Sequence, residues 1–112
     1  MIVSAWSDGH GTYGVRVLGR EVSLWFRPEW DRVLLELPDR PMPVEVSLTE
    51  SFWRGSSELR SPHIREFFRR HDLLEWQRQQ PPRFELEPLG GGSFRLKWLH
   101  RVEGQQALPL DL

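Results

Sequence analysis

Residues 84–98, FELEPLGGGSFRLKW, constrain the fold more than any other stretch of this chain. Phe84, Leu86 and Pro88 alternate with Glu85 and Glu87 before Gly90-Gly91-Gly92, and Phe94, Leu96 and Trp98 alternate with Arg95 and Lys97 after it. Period-two alternation on both sides of a glycine turn is the pattern of an antiparallel hairpin with one buried face. It predicts Phe84, Leu86 and Pro88 facing Trp98, Leu96 and Phe94. Outside, Glu85 would meet Lys97 and Glu87 would meet Arg95, each pair contributing ~0.2–1 kcal/mol.

The same period recurs along the chain. Tyr13, Val15 and Val17 alternate with Thr12, Gly14 and Arg16, and Val22, Leu24 and Phe26 alternate with Ser23, Trp25 and Arg27. Gly19-Arg20 between these runs reads as a hairpin turn. Val33–Leu37 and Val44–Leu48 follow, separated by the turn Pro38-Asp39-Arg40-Pro41, and Ile2–Trp6 supplies a seventh strand. Two helical pieces interrupt the strands. Thr49–Arg54 reads as one short turn, with Thr49 as N-cap and Gly55 as its stop. Ser61 followed by Pro62 is a helix start, after which Ile64, Phe67, Phe68 and His71 share one face. The expected fold is a β-rich α+β domain. Six to seven antiparallel strands in hairpins form a small barrel or strongly curled sheet, with two short helices between the fourth and fifth strands. A two-layer α+β sandwich is the alternative.

A chain of 112 residues holds one core, so residues 1–99 are read as a single domain and 100–112 as a loose tail that Leu108 and Leu110 could dock. The aromatic content, 12%, makes that core aromatic. There is no Cys, which removes disulfides, thiolate metal sites and thiol nucleophiles and fits a reducing cytoplasm, the expected location. No basic region and long apolar run open the chain as in a signal peptide, and no segment is long enough to span a membrane.

Net charge is −1, but it is unevenly distributed. Residues 1–50 carry five Arg against eight acids, whereas 51–101 carry ten Arg or Lys against six acids. Arg suits phosphate, carboxylate and stacking contacts, although GC-rich coding also raises its share. In the helix of SPHIREFFRRH, Glu66 and Arg70 are spaced to pair, leaving Arg65 and Arg69 without an acid four residues away. With Arg54 and Arg60 in the preceding loop, beside Ser56, Ser57 and Ser61, these four are the candidate nucleic-acid contacts. A solvated helix face beside a loop explains the same residues, as does a surface for a carboxylate-rich protein. Trp25 and Trp76 are the candidates for stacking or partner contact, and core packing is the default reading for most of the six Trp.

Other motifs carry less. Ser7-Asp8-Gly9-His10-Gly11 reads as a turn, because three adjacent residues do not converge as a triad. The histidines at 10, 63, 71 and 100 lack metal-ligand spacing, so no metal or other cofactor is expected. His71 reads as a contact to the last helical carbonyls. Pro38-Asp39 with Glu45-Val46-Ser47 resembles the PD…(D/E)xK nuclease pattern, with Ser47 where that chemistry needs Lys.

Phe52-Trp53-Arg54, Glu58-Leu59-Arg60-Ser61, Pro81-Pro82-Arg83-Phe84, Leu86-Glu87-Pro88 and Phe94-Arg95-Leu96, together with Tyr13-Gly14-Val15-Arg16, resemble a small prokaryotic family of uncharacterised proteins. The resemblance covers most of the chain, departs at Leu73–Trp76, and implies no catalytic residues. In element order the chain is also similar to DNA-binding pseudobarrel domains, a fold analogy without a shared motif. The expected function is a non-enzymatic macromolecule-binding domain with nucleic acid as the favoured partner. A protein–protein module of antitoxin, immunity or adaptor type, or one that self-associates, is the alternative, using an aromatic patch and the acidic N-terminal half. A metal-dependent nuclease or other hydrolase ranks third.

Overall fold

The computed structural model describes residues 1–99, so the expected tail 100–112, with His100, Leu108 and Leu110, lies outside the described residues. Among these, seven strands form one sheet: β1 (Ile2–Ser7), β2 (Tyr13–Arg16), β3 (Arg32–Glu36), β4 (Val44–Ser47), β5 (Glu58–Arg60), β6 (Arg83–Gly90) and β7 (Ser93–Trp98). Their order is β4-β3-β7-β6-β1-β2-β5, and the outermost strands β4 and β5 curl back into contact. The result is a nearly closed, barrel-like sheet, which hides most of its edge. Among the described residues three short helical pieces accompany it: α1 (Gly19–Trp25), a π-helical turn (Phe52–Ser56) and α2 (Pro62–Arg70). The chain is thus β-rich α+β, as its alternation dictates.

The β6–β7 hairpin has the expected register, Phe84↔Trp98, Leu86↔Leu96 and Pro88↔Phe94 on the core-facing side, where Trp98 at the strand end stays exposed, and Glu85↔Lys97 and Glu87↔Arg95 outside. Its outer charges pair diagonally as well. Lys97 and Arg95 each approach Glu87 to 3.7 Å, and Arg95 reaches across to Glu36 at 2.8 Å.

Three features differ from the sequence expectation. First, the sheet is mixed rather than wholly antiparallel: β3 runs parallel to β7, with Leu34↔Ser93, Leu35↔Phe94 and Glu36↔Arg95. Second, Gly19–Trp25 is a helix rather than a hairpin turn leading into a strand. Val22 and Phe26 satisfy an i,i+4 spacing as well as alternation, and Leu24 separates the two readings. A strand would bury Leu24 beside them, yet it is 71% exposed. The indole N–H of Trp25 donates to Glu21 at 3.0 Å, a one-turn contact on that helix. Third, Glu58–Arg60 is a strand paired with β2 rather than part of a loop, so a helical piece lies on either side of β5.

The barrel is filled by inward strand residues such as Val3, Val15, Val33, Leu35, Val46, Leu59, Leu86 and Leu96, and aromatic clusters close both ends. At the Gly90–Gly92 end, Phe26 stacks on Phe94 at 4.7 Å and meets Phe52 at 5.2 Å. At the other end α2 inserts Ile64, Phe67 and Phe68, with Phe68 stacked on Phe84 at 5.8 Å. The start of α2 is as expected: Ser61 caps it, its hydroxyl accepting from the His63 N–H at 3.0 Å, with Pro62 in the first turn. The earlier helical turn spans Phe52–Ser56 and loses helical geometry at Gly55, the residue expected to stop it, where φ is 110°. Thr49 receives its first amides through its backbone carbonyl, while its hydroxyl bonds Ser51.

The loop after β3 is fastened to α2. Asp39 accepts from Arg70 Nε at 2.8 Å and lies 3.2 Å from His71 Nε2, and Arg40 Nη1 lies 3.0 Å from His63 Nδ1. His71 thus serves this loop through its ring, which also packs on Phe67 and Trp98, while its backbone N–H donates to the Phe67 and Phe68 carbonyls at the end of α2, each at 3.2 Å. The Arg70 hydrogen bond holds the Asp39 carboxyl below the usual carboxylate range, against the opposing effect of burial. A carboxylate whose folded pKa is depressed contributes stability above its unfolded pKa, about 3.9, and loses it as pH falls through the folded value. Urea unfolding at pH 7 and pH 3 should therefore show a smaller loss on acidification in Asp39→Asn than in the parent. Equal losses would remove Asp39 from the acid response and leave it to the other depressed carboxylates, Asp8 and Glu66.

Candidate nucleic-acid interface

Strand register decides which arginines meet. Ser4 lies between Arg16 and Arg83, and Arg16 lies beside Glu58, so one row across the outer face reads Arg83, Ser4, Arg16, Glu58. The next row reads Trp6, Gly14, Arg60. Directly opposed residues project from the same face of a sheet, so all of these turn away from the core.

Gly14 allows the second row to close over itself. It stands between Trp6 and Arg60 with no side chain, and the Arg60 guanidinium lies 4.7 Å from the centroid of the Trp6 ring, a cation–π contact spanning two strand intervals. The glycine is also required by close packing, since a Cβ there would sit 2.3 Å from the carbonyl oxygen of Leu59. Glu58 fixes the arginines around this contact. Its side chain is 2% exposed, and it accepts from Arg16 Nη2 at 2.7 Å and from Arg60 Nη2 at 2.8 Å. Two guanidiniums thus share one carboxylate, and both stay partly open to solvent.

Arg65 joins from α2. Its guanidinium is 6.0 Å from the Tyr13 ring, and it has no acidic partner among the described residues. Arg60 and Arg65 line the two sides of a cleft of about 230 Å³ with Gly11, Thr12, Tyr13, Ser61 and Pro62. Tyr13 is held beneath by its hydroxyl, which donates to the Leu74 carbonyl at 2.9 Å, and by edge contacts with Phe68 and Trp76.

Of the candidate arginines, the structure brings Arg60 and Arg65 together. Arg54 sits on the π-helical turn, exposed and paired with Glu50 at 2.8 Å, and takes no part in that cleft. Arg69 shares a helical flank with Arg65 but is claimed by Glu66, three residues before it, rather than left unpaired. Trp76 is half-buried and reaches the site through Tyr13. Trp25 is exposed and lines a different cleft, of about 560 Å³, with Leu24, Trp30 and the Gly90–Gly92 turn. Trp6, Arg16 and Arg83 were missed. Alternation put Arg16 outward, but only strand order shows that Trp6 and Arg83 lie on the same wall.

The remaining motifs resolve as structure. Asp8 Oδ1 accepts from the backbone N–H of His10 at 2.7 Å and of Thr12 at 3.1 Å, closing the β1–β2 turn, where Gly9 and Gly11 take φ of 79° and 99°. Asp39, in the loop after β3, is paired with Arg70 of α2, and Glu45 pairs with Arg32 on the outer face, so the nuclease-like carboxylates do not converge. Among the described residues no three His, Asp or Glu gather as a metal site, and no helix is long and apolar enough to cross a membrane.

No protein-family model, curated protein or solved structure matches this chain. What it does must be argued from its own residues. Gly14→Ala should lose about 1–3 kcal/mol in urea unfolding through overpacking against Leu59, and it should shift the Trp6 fluorescence as the Arg60 contact is disturbed. Unchanged stability would mean that β2 and β5 are not packed as closely as described.

Proposed function

We propose that this protein is a non-enzymatic domain that binds single-stranded nucleic acid on the outer face of β6, β1, β2 and β5. The observation that carries this reading is the Arg60–Trp6 stack, ringed by Arg16, Arg65 and Arg83 with Glu58 as the carboxylate among them. Bases stack on aromatic rings and on guanidinium planes alike, so the outward side of Arg60 offers a planar platform already fixed in place by Glu58 and Trp6. Arg16, Arg83 and Arg65 lie around it for phosphates. A single strand suits this surface better than a duplex. Its platform needs unpaired bases, and the platform lies on a strand surface rather than on a helix that would enter a major groove.

A second reading has one observation behind it. Leu24 and Trp25 are exposed together beside the cleft at the Gly90–Gly92 turn, an apolar pair suited to a protein partner.

Fluorescence titration with mixed-sequence single-stranded DNA and RNA separates the two. Binding should weaken with salt, with a slope of log K against log[salt] of about −2 for three phosphate contacts. Arg60→Ala or Trp6→Ala should cost about 1–3 kcal/mol, and Arg65→Ala or Arg83→Ala should lower the salt slope by about 0.7. Arg54→Ala and Arg69→Ala should change little. No binding at low salt, or equal losses from all these arginines, contradicts the proposed face.

A further inference from the structure

A second surface lies where β3 parts from β7. The last of their parallel pairs is Glu36↔Arg95, yet β7 continues through Leu96 and Lys97 to Trp98. Leu37-Pro38 ends β3, and Pro38 has no N–H with which to prolong the ladder. The departing loop does not fall back on β7, because Asp39 is held by Arg70 and His71 and Arg40 meets His63. A cleft of about 380 Å³ opens between the two, lined by Pro38, Pro41, Leu96, Trp98, Arg40 and Lys97 among others.

The backbone within this cleft is incompletely paired. The Gly92 carbonyl accepts from the Leu34 N–H at 2.9 Å, so the even-numbered residues of β7 turn their peptide groups towards β3. Beyond Glu36 no strand among the described residues lies in that direction, and among them the Leu96 carbonyl and the Trp98 peptide groups face the cleft without a strand partner. Pro88 fits the same alternation. It opposes Phe94, one of those residues, and so its missing N–H falls on the side away from β7.

We infer that this opening takes an extended acidic peptide segment of another protein, which adds as a short strand along Leu96–Trp98. Exposed strand edges bind extended chains through main-chain hydrogen bonds, with flanking side chains setting the preference. Charge sets it here. Arg40, Arg95 and Lys97 border the cleft; Arg95 is paired with Glu36 and Lys97 lies 3.7 Å from Glu87, whereas Arg40 has no acidic partner among the described residues. Trp98, 37% exposed, with Pro38 and Pro41, supplies apolar contact for side chains alternating with the acids. This inference does not depend on the nucleic-acid reading, whose face is formed by β6, β1, β2 and β5.

The test uses the full chain and a short acetylated peptide amide alternating Glu and Val, followed by amide NMR shifts and Trp fluorescence. Shifts should concentrate on Leu96–Trp98 and residues 36–41. The same peptide N-methylated at alternate amides should bind at least about tenfold more weakly, and a Lys-for-Glu version about tenfold more weakly. Arg40→Ala and Lys97→Ala should each weaken the acidic peptide by roughly threefold. Equal binding of the N-methylated or charge-reversed peptide, shifts elsewhere on the chain, or no binding of the acidic peptide overturns the inference. The peptide comparisons use the unaltered protein, so they remain decisive even where a variant folds poorly.

Discussion

The junction between β3 and β7 is the constraint on which the architecture depends. The β3–β4 hairpin enters the sheet through three register pairs with β7, and the outer edge of β4 then meets β5. Without that parallel seam there would be a five-stranded sheet with an exposed edge at β7, and a detached hairpin beside it. Parallel neighbours require a long crossover, here supplied by everything between β3 and β7. The aromatic clusters sit at opposite ends of the closed sheet because β6 and β7, which run its length, place Phe94 at one end and Phe84 at the other.

Local pairing was legible in the sequence, and distant pairing was not. The β6–β7 register followed from alternation around three glycines, and the start of α2 followed from Ser61-Pro62. The β3–β7 seam had no local signal, since neither strand announces its partner. Val22–Phe26 misled because two apolar residues four apart satisfy both periods, and only the exposure of Leu24 decides between them. Glu58–Arg60 looked like loop because two of its three residues are charged. Both face outward on a strand, where Glu58 is buried by the arginines it serves rather than by the core.

The site shows the same division. Arg60 and Arg65 were visible as basic residues near a helix start, but the wall they share with Trp6, Arg16 and Arg83 exists only after β1 is placed between β2 and β6. Counting acids four residues away missed the pairing of Arg69 with Glu66, because a helix brings residues three apart together as well. Gly14 read as an ordinary outward position in a strand. Its meaning is a gap that lets two side chains touch across an intervening strand.

Helix α2 has a consequence beyond closing the barrel. One flank, with His63 and Arg70, holds the loop beside the β7 opening, and the opposite flank offers Arg65 to the cleft shared with Arg60. A helix with its side chains is about 10–12 Å across, wider than the ~8 Å over which exposed charges sense each other at physiological ionic strength. The helix therefore stands as a spacer between the two surfaces, setting them further apart than that screening distance.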